Sequence, residues 1–174
     1  MPSWNSRGLR GSMLEEALNM TNEQYRKEHL ALVQKIPTPI TPINIDKEHR
    51  HITLAYFEQK STVDYIGNVQ GVPICFDAKE CAGERFALQN IHEHQISHMQ
   101  KIMKHGGITF FIILMNNIVY LLKGEDFIFF VKNNQRKSIP YQYLLDNAYE
   151  IKYGINPELD YLKIVDKIYF RGDK

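Results

Sequence analysis

The stretch DYIGNVQGVPICFDAKE, residues 64–80, decides the fold. It is built like a β-hairpin, with two apolar runs around Gly67–Gly71, and it carries Asp64, Asp77 and Lys79 along its length. Asp77 and Lys79 are two residues apart, so on a strand both project to one face. Asp64 lies on the preceding strand, and antiparallel pairing at about 4.8 Å brings it close to Asp77. Two carboxylates that close repel unless one is protonated or a cation sits between them. Mg²⁺ suits the pair, because it is often held by one or two carboxylates plus a substrate phosphate. A lysine beside them can orient a water or stabilise charge on the phosphate, and phosphodiester hydrolysis needs this set of groups. The same three charges also fit a solvated strand face, since a D…DxK pattern is short and recurs by chance.

Outward from this hairpin the chain reads as alternating elements. Ser12 and Glu15 fit a capping box opening a helix with Leu14, Leu18 and Tyr25 on one face. LALVQKI (30–36) reads as a strand. Pro37, Pro39 and Pro42 then make an extended segment unsuited to a central strand, and HITLAYFEQK (51–60) resumes strand alternation. Asn90 and Glu93 open a second helix that stops at Gly106–Gly107. ITFFIILMNNIVYLL (108–122) is too short and interrupted for a membrane span, and reads as a buried hairpin turning at Asn116–Asn117. A less regular region with the basic loop Lys132–Lys137 follows, then a short helix over 141–146, a strand or turn in YEIKYG, and a last helix opened by Pro157. This order predicts an α/β fold, a mixed central sheet with helices on both faces.

Composition sets the frame. The 174 residues suit one domain; 44% are hydrophobic, 24% charged, and the net charge is +1, so no overall field advertises a polyanion. Cys75 and Cys81 make no disulfide framework, and with no signal peptide visible the expected location is cytoplasmic. There is no GK[ST] phosphate loop for an ATPase and no His-paired Cys for a thiol enzyme. His94 and His98 stand one helical turn apart, a spacing zinc can use, but no third and fourth ligand follow; His92 is expected to point elsewhere.

Taken together, SRGLRGSMLEEALNMTNEQY, KIPTPI, AYFEQKSTVDYIG, FDAKE, NIHEHQISHM, RKSIPY and IKYGINPELDYLKIVD resemble, in order, the RecU family of Holliday-junction resolvases within the PD-(D/E)XK nuclease superfamily. The resemblance covers nearly the whole chain, about Ser6 to Phe170. It implies a restriction-endonuclease-like nuclease core as a single domain over 1–174, with a protruding stalk inserted at about 36–60. It implies Asp64, Asp77 and Lys79 as the catalytic set, with Thr62, Asp64, Asp77 and Gln95 at the metal site and Glu15 in support. Mg²⁺ is the implied cofactor, with Mn²⁺ as alternative. The implied partners are four-way junction DNA, a second copy of the chain and recombination proteins, with no membrane. Arg7, Arg10, Lys35, Arg50, Tyr56 and Phe57 match DNA-contacting positions, with the two aromatics available to stack on unpaired bases and one of them expected to pack inward. In the stalk, the strand after the Pro-rich arm is read as carrying Lys47, His49 and Arg50. The family more often has Glu where this chain has Asp77, one methylene shorter. The expected activity is symmetric paired nicking of junctions; the rival readings are a duplex or flap nuclease of the same superfamily, and an architectural DNA-binding dimer with a degenerate site.

Overall fold

The structure is a computed structural model, and it describes residues 13–57 and 62–171. The chain opens with helix α1 (Met13–Lys27), then β1 (Leu32–Lys35), β2 (Ile40–Asp46), β3 (His51–Phe57), β4 (Tyr65–Val69) and β5 (Val72–Cys81). β6 (Arg85–Ala87), α2 (Glu93–Lys104), β7 (Ile108–Met115) and β8 (Ile118–Lys123) follow, then α3 (Gly124–Asn133), β9 (Ser138–Pro140), α4 (Tyr141–Asn147), β10 (Tyr149–Ile151) and α5 (Tyr161–Val165).

Six strands form the central sheet in the order β1-β4-β5-β7-β8-β10. Only β5 and β7 pair in parallel, which makes the sheet mixed; β6 and α2 lie in the crossover between them. The strand period of two sorts the core. Ile74, Phe76, Phe110 and Ile112 face α1 and α5, where Phe76 stacks on Tyr65 and Phe110. Cys75, Phe111, Ile113 and Tyr120 face the other way, with Met99 of α2, Phe127 and Phe130 of α3 and Leu144 of α4. Helices thus cover both faces, and the 108–122 stretch is core.

The turn between β7 and β8 falls where the sequence predicts, whereas that between β4 and β5 is tighter than the Gly67–Gly71 span and leaves Gly67 inside β4. Gln70 (φ 51°) and Gly71 (φ 85°) join β4 to β5, and Asn116 (φ 51°) and Asn117 (φ 61°) join β7 to β8. Inside β4, Gly67 lies so close to β1 that a Cβ would stand 2.4 Å from the Leu32 carbonyl oxygen.

Four local expectations are corrected. Residues 124–133 form α3, where Phe127 and Phe130 bury at helical spacing and Glu125 and Asp126 occupy the positive first turn. α2 is capped at His92, not Asn90: the His92 N–H donates to Gln95 Oε1 at 2.9 Å, while Asn90 ends a 3₁₀ turn. Pro157 follows a cis peptide bond and opens no helix; Asp160 does, accepting from the Lys163 N–H. Lys47, His49 and Arg50 lie in the turn between β2 and β3, where Asp46 Oδ1 accepts from the Glu48 and His49 N–H groups.

β2 and β3 pair only with each other, apart from the central sheet. Ile43, Leu54, Tyr56 and Phe57 are all exposed, the last by 74%, so neither member of the Tyr56–Phe57 pair packs inward.

Candidate active site

β5 outruns β4. The ladder between them ends at Tyr65 opposite Phe76, so Asp64 stands just before β4 rather than on it, beside Asp77. There two hydrogen bonds tie Asp64 to β5. The Asp64 N–H donates to Asp77 Oδ1 at 2.8 Å, and the Ala78 N–H donates to Asp64 Oδ2 at 3.1 Å. The Asp64 carboxylate thus takes a β5 backbone donor that β4 no longer reaches. The Asp64 carbonyl in turn accepts from the Ile36 N–H at 2.8 Å, which ties the residue to the end of β1.

Lys79 shares the Asp77 face, as the strand period predicts. Its Nζ donates to Asp64 Oδ2 at 2.9 Å and lies 3.4 Å from Asp77 Oδ2. The Asp77 side chain has no exposed surface, whereas Lys79 keeps 19% and Asp64 25%. Burial pushes the Asp77 carboxyl up to about 6; Lys79 pulls it down, and Asp64 adds to the rise. For Lys79 burial acts to lower the ammonium's pKa, but the Asp77 and Asp64 charges outweigh it and hold the pKa above the ordinary range.

One oxygen of each carboxylate is therefore fixed by a backbone donor and the other takes no hydrogen bond. Asp77 Oδ2 is buried without a hydrogen-bond partner, and Asp64 Oδ1 takes none of the described hydrogen bonds. Two hard oxygens side by side fit a Mg²⁺-sized ion that keeps waters and a phosphate oxygen as its other ligands. No cluster of three or more His, Cys, Asp or Glu suited to a metal occurs among the described residues. His92 stacks on His94 at 5.3 Å rather than pointing away.

The remaining expected residues lie less centrally. Gln95 is buried, but its amide oxygen is committed to capping α2. Thr62 is exposed just ahead of Asp64. Glu15 pairs with Lys35 at 2.7 Å, so two residues assigned separate roles from sequence hold each other and brace the β1 end that anchors Asp64. Arg7, Arg10 and Ser12 lie outside the described residues. Sequence reasoning passed over Glu80: on the opposite face from Lys79, its Oε1 accepts the Leu14 N–H at 3.2 Å and so caps α1. Its place directly after Lys79, in a strand aimed at a helix start, was the available signal.

A mixed sheet flanked by helices, with an acid–acid–lysine cluster where two central strands part, defines the restriction-endonuclease-like nuclease core. Within that class, the family described as Recombination protein U matches residues 9–167, and the chain belongs to it. The Holliday junction resolvase RecU of Geobacillus sp. (strain WCH70) is 42% identical, over 94% of this chain and 86% of that protein. Those of Pediococcus pentosaceus and Bacillus subtilis are 44% and 39% identical, over 92% and 97% of this chain and 85% and 84% of theirs. The solved structure of Hjc, a Holliday junction resolvase of Archaeoglobus fulgidus, aligns with a TM-score of 0.49 at 9% identity, over 81% of this chain and 96% of that one. A likeness that distant bears on no residue's role.

Proposed function

We infer that the chain is a structure-selective endonuclease that resolves four-way DNA junctions by metal-dependent paired nicks, acting as a homodimer in the cytoplasm alongside other recombination proteins. One observation carries the chemistry: Asp64 and Asp77 each present one oxygen that takes no hydrogen bond, at a point where Lys79 pairs with both carboxylates. Family membership carries the substrate, because the relatives named above are Holliday junction resolvases.

In this reading Asp64 Oδ1 and Asp77 Oδ2 hold Mg²⁺, with Mn²⁺ able to substitute and Thr62 and Gln95 in lesser roles. The ion, when bound, supplies Lewis acidity and charge neutralisation at the phosphate. Lys79 keeps its proton throughout the neutral range and presents it to the charge that grows on the phosphoryl oxygens during in-line attack by water. The backbone donors to both carboxylates fix these groups before substrate arrives, so no reorganisation is needed in the transition state. The hairpin of β2 and β3, with Lys47, His49 and Arg50 at its turn and Tyr56 and Phe57 exposed, is the stalk that enters the junction. Arg7, Arg10 and Lys35 belong to the same DNA-contacting set. Among the described residues no helix is long and apolar enough to cross a membrane.

The test is a labelled four-way junction and a linear duplex, each with Mg²⁺ or EDTA, beside Asp64→Ala and Lys79→Ala. Symmetric, Mg²⁺-dependent nicking of the junction alone, lost in both variants, is the expected result. Equal cutting of duplex and junction moves the chain to a general nuclease, and tight junction binding without any cut makes it an architectural protein.

A further inference from the structure

The face of the sheet that carries the cluster also carries a two-stranded ribbon with no part in the chemistry described above. β6 and β9 pair antiparallel, Arg85 opposite Pro140, Phe86 opposite Ile139 and Ala87 opposite Ser138. The Tyr141 N–H donates to the Glu84 carbonyl and the Leu88 N–H to the Lys137 carbonyl, both at 3.0 Å, which extends the ladder at either end. Phe86 and Ile139 have no exposed surface and pack in one core with Phe111, Ile113 and Tyr120. Asp77 and Lys79 are the β5 partners of Phe111 and Ile113, so ribbon and cluster share one face of the sheet.

Two contacts fix where on that face the ribbon sits. Cys81 is two residues past Lys79, about 7 Å farther along β5, and its thiol donates to the Arg85 carbonyl at 3.2 Å. Tyr120 lies in the ladder row of Lys79, through Ile113, and its hydroxyl bonds that of Tyr141 at 2.8 Å. The ribbon therefore spans β5 to β8 at the level of Lys79 and Cys81. The β2–β3 hairpin leaves from the other side, between Lys35 at the end of β1 and Tyr65 at the start of β4. Across the sheet the order is hairpin, cluster, ribbon. Arg85, Arg136 and Lys137 of the ribbon and its entry are exposed, and their side chains make no hydrogen bond or ion pair among the described residues. Glu84, before β6, and Glu93, at the start of α2, are the exposed acids on the flanking segments, and neither pairs with any of the three. A guanidinium presents a planar fork of donors that matches a phosphate. A strand held at the cluster carries its next phosphates toward the hairpin on one side and toward this ribbon on the other.

We propose that the β6–β9 ribbon grips the strand being cut, with Arg85, Arg136 and Lys137 on its phosphates to the side of the cluster away from the hairpin. These residues position the strand and leave the reacting phosphate to the cluster. The side on which they act rests on the reading of Asp64, Asp77 and Lys79 as the cleavage site and of the hairpin as the stalk.

The test measures junction binding across a salt series in EDTA, and cutting in Mg²⁺, for the triple variant Arg85→Gln, Arg136→Gln and Lys137→Gln. A control triple, Lys27→Gln, Lys152→Gln and Lys163→Gln, removes the same charge from exposed positions around α1 and α5. The ribbon triple is expected to weaken binding at least about tenfold near 0.15 M salt and to flatten the log–log salt slope by about two to three. The control triple keeps the wild-type slope, and so does the charge-conserving triple Arg85→Lys, Arg136→Lys and Lys137→Arg. Thermal melts of each variant confirm the fold. Junctions carrying single neutral methylphosphonates along the cut strand then locate the contact. On the arm side of the cut, a neutral linkage weakens binding by the wild type and costs the ribbon triple nothing further; toward the crossover it weakens both alike. Wild-type affinity and slope in the ribbon triple, equal losses in both Gln triples, or methylphosphonate costs that persist on the arm side in the ribbon triple overturn the proposal. Coupled losses in a protein that cuts no junction leave the ribbon as a phosphate contact and overturn the cleavage reading, and the assigned side with it.

Discussion

A carboxylate with no exposed surface, 3.4 Å from an ammonium group, costs folding energy once it is ionised. The Asp77 pKa rises from 3.8 to about 6, so the folded state holds that proton more tightly than the unfolded chain. The stability it contributes is complete below about pH 4 and is lost as pH rises through about 6. In a chelator at pH 8, Asp77→Asn is therefore expected to be more stable than the wild type, by up to about 3 kcal/mol. Near pH 4 the two converge. Urea denaturation at both pH values checks this; a wild type that is the more stable at pH 8 contradicts it. Adding Mg²⁺ at pH 8 raises the wild-type Tm and leaves that of Asp77→Asn in place, because only the wild type binds the ion. Lys79→Met keeps the length of the side chain but removes the charge between two acids. Its cutting rate falls at least about 10²-fold, and its Tm, depressed at pH 8, recovers as the pH drops, beginning above pH 6 because Asp77 without the pull of Lys79 takes up its proton earlier. The three residues of the cluster were legible in the sequence because a period of two and one hairpin register suffice to bring them together. The pairing of Glu15 with Lys35 was not, since it joins residues twenty apart, and the Gln95 cap, a local i,i+3 contact, was hidden because its N-cap is His92 rather than Ser, Thr, Asp or Asn.

At the scale of elements, β4 and β5 were readable through their turn, and β7 and β8 through Asn116–Asn117, because positive φ restricts residue choice. α3 was not, since FIFFV is as apolar as a buried strand and its helix begins directly after β8 without a capping side chain. The close approach of β1 to β4 was equally invisible. It predicts that Gly67→Ala, whose new Cβ meets the Leu32 carbonyl at 2.4 Å and Val33 Cγ2 at 2.7 Å, destabilises by about 1–3 kcal/mol. Because β1 and β4 together anchor Asp64, the cutting rate falls with it; chemical denaturation and a junction assay read the two effects separately. The β2–β3 hairpin obeys the opposite logic. Its strands pair only with each other and leave Ile43, Leu54 and Phe57 exposed, so it adds little to the core. Replacing residues 40–57 with a short Gly-Ser linker is expected to shift Tm by no more than a few degrees while discrimination between junction and duplex is lost. Loss of folding, or retention of junction preference, contradicts the hairpin's role as the stalk.

For the whole molecule, a net charge of +1 leaves DNA binding to local features and makes symmetry a central part of the reaction. A four-way junction offers equivalent strands in pairs, and a two-fold dimer places one Asp64–Asp77–Lys79 cluster against each member of a pair. The chain, 20.4 kDa alone, is accordingly expected to sediment at twice that mass. Symmetry also fixes what half a dimer can do. Co-expressing wild-type and Asp64→Ala chains under two affinity tags isolates mixed dimers with one working site. Such dimers are expected to bind the junction as the wild type does, because the stalk is intact on both subunits. Each mixed dimer cuts one strand per encounter, so nicked junctions accumulate and few resolved duplexes form. In the wild type the second nick is expected to follow before release, so that nicked intermediates stay scarce. Mixed dimers that resolve junctions at the wild-type rate would mean that one site serves both strands in turn, and the two-site account of paired nicking would be withdrawn.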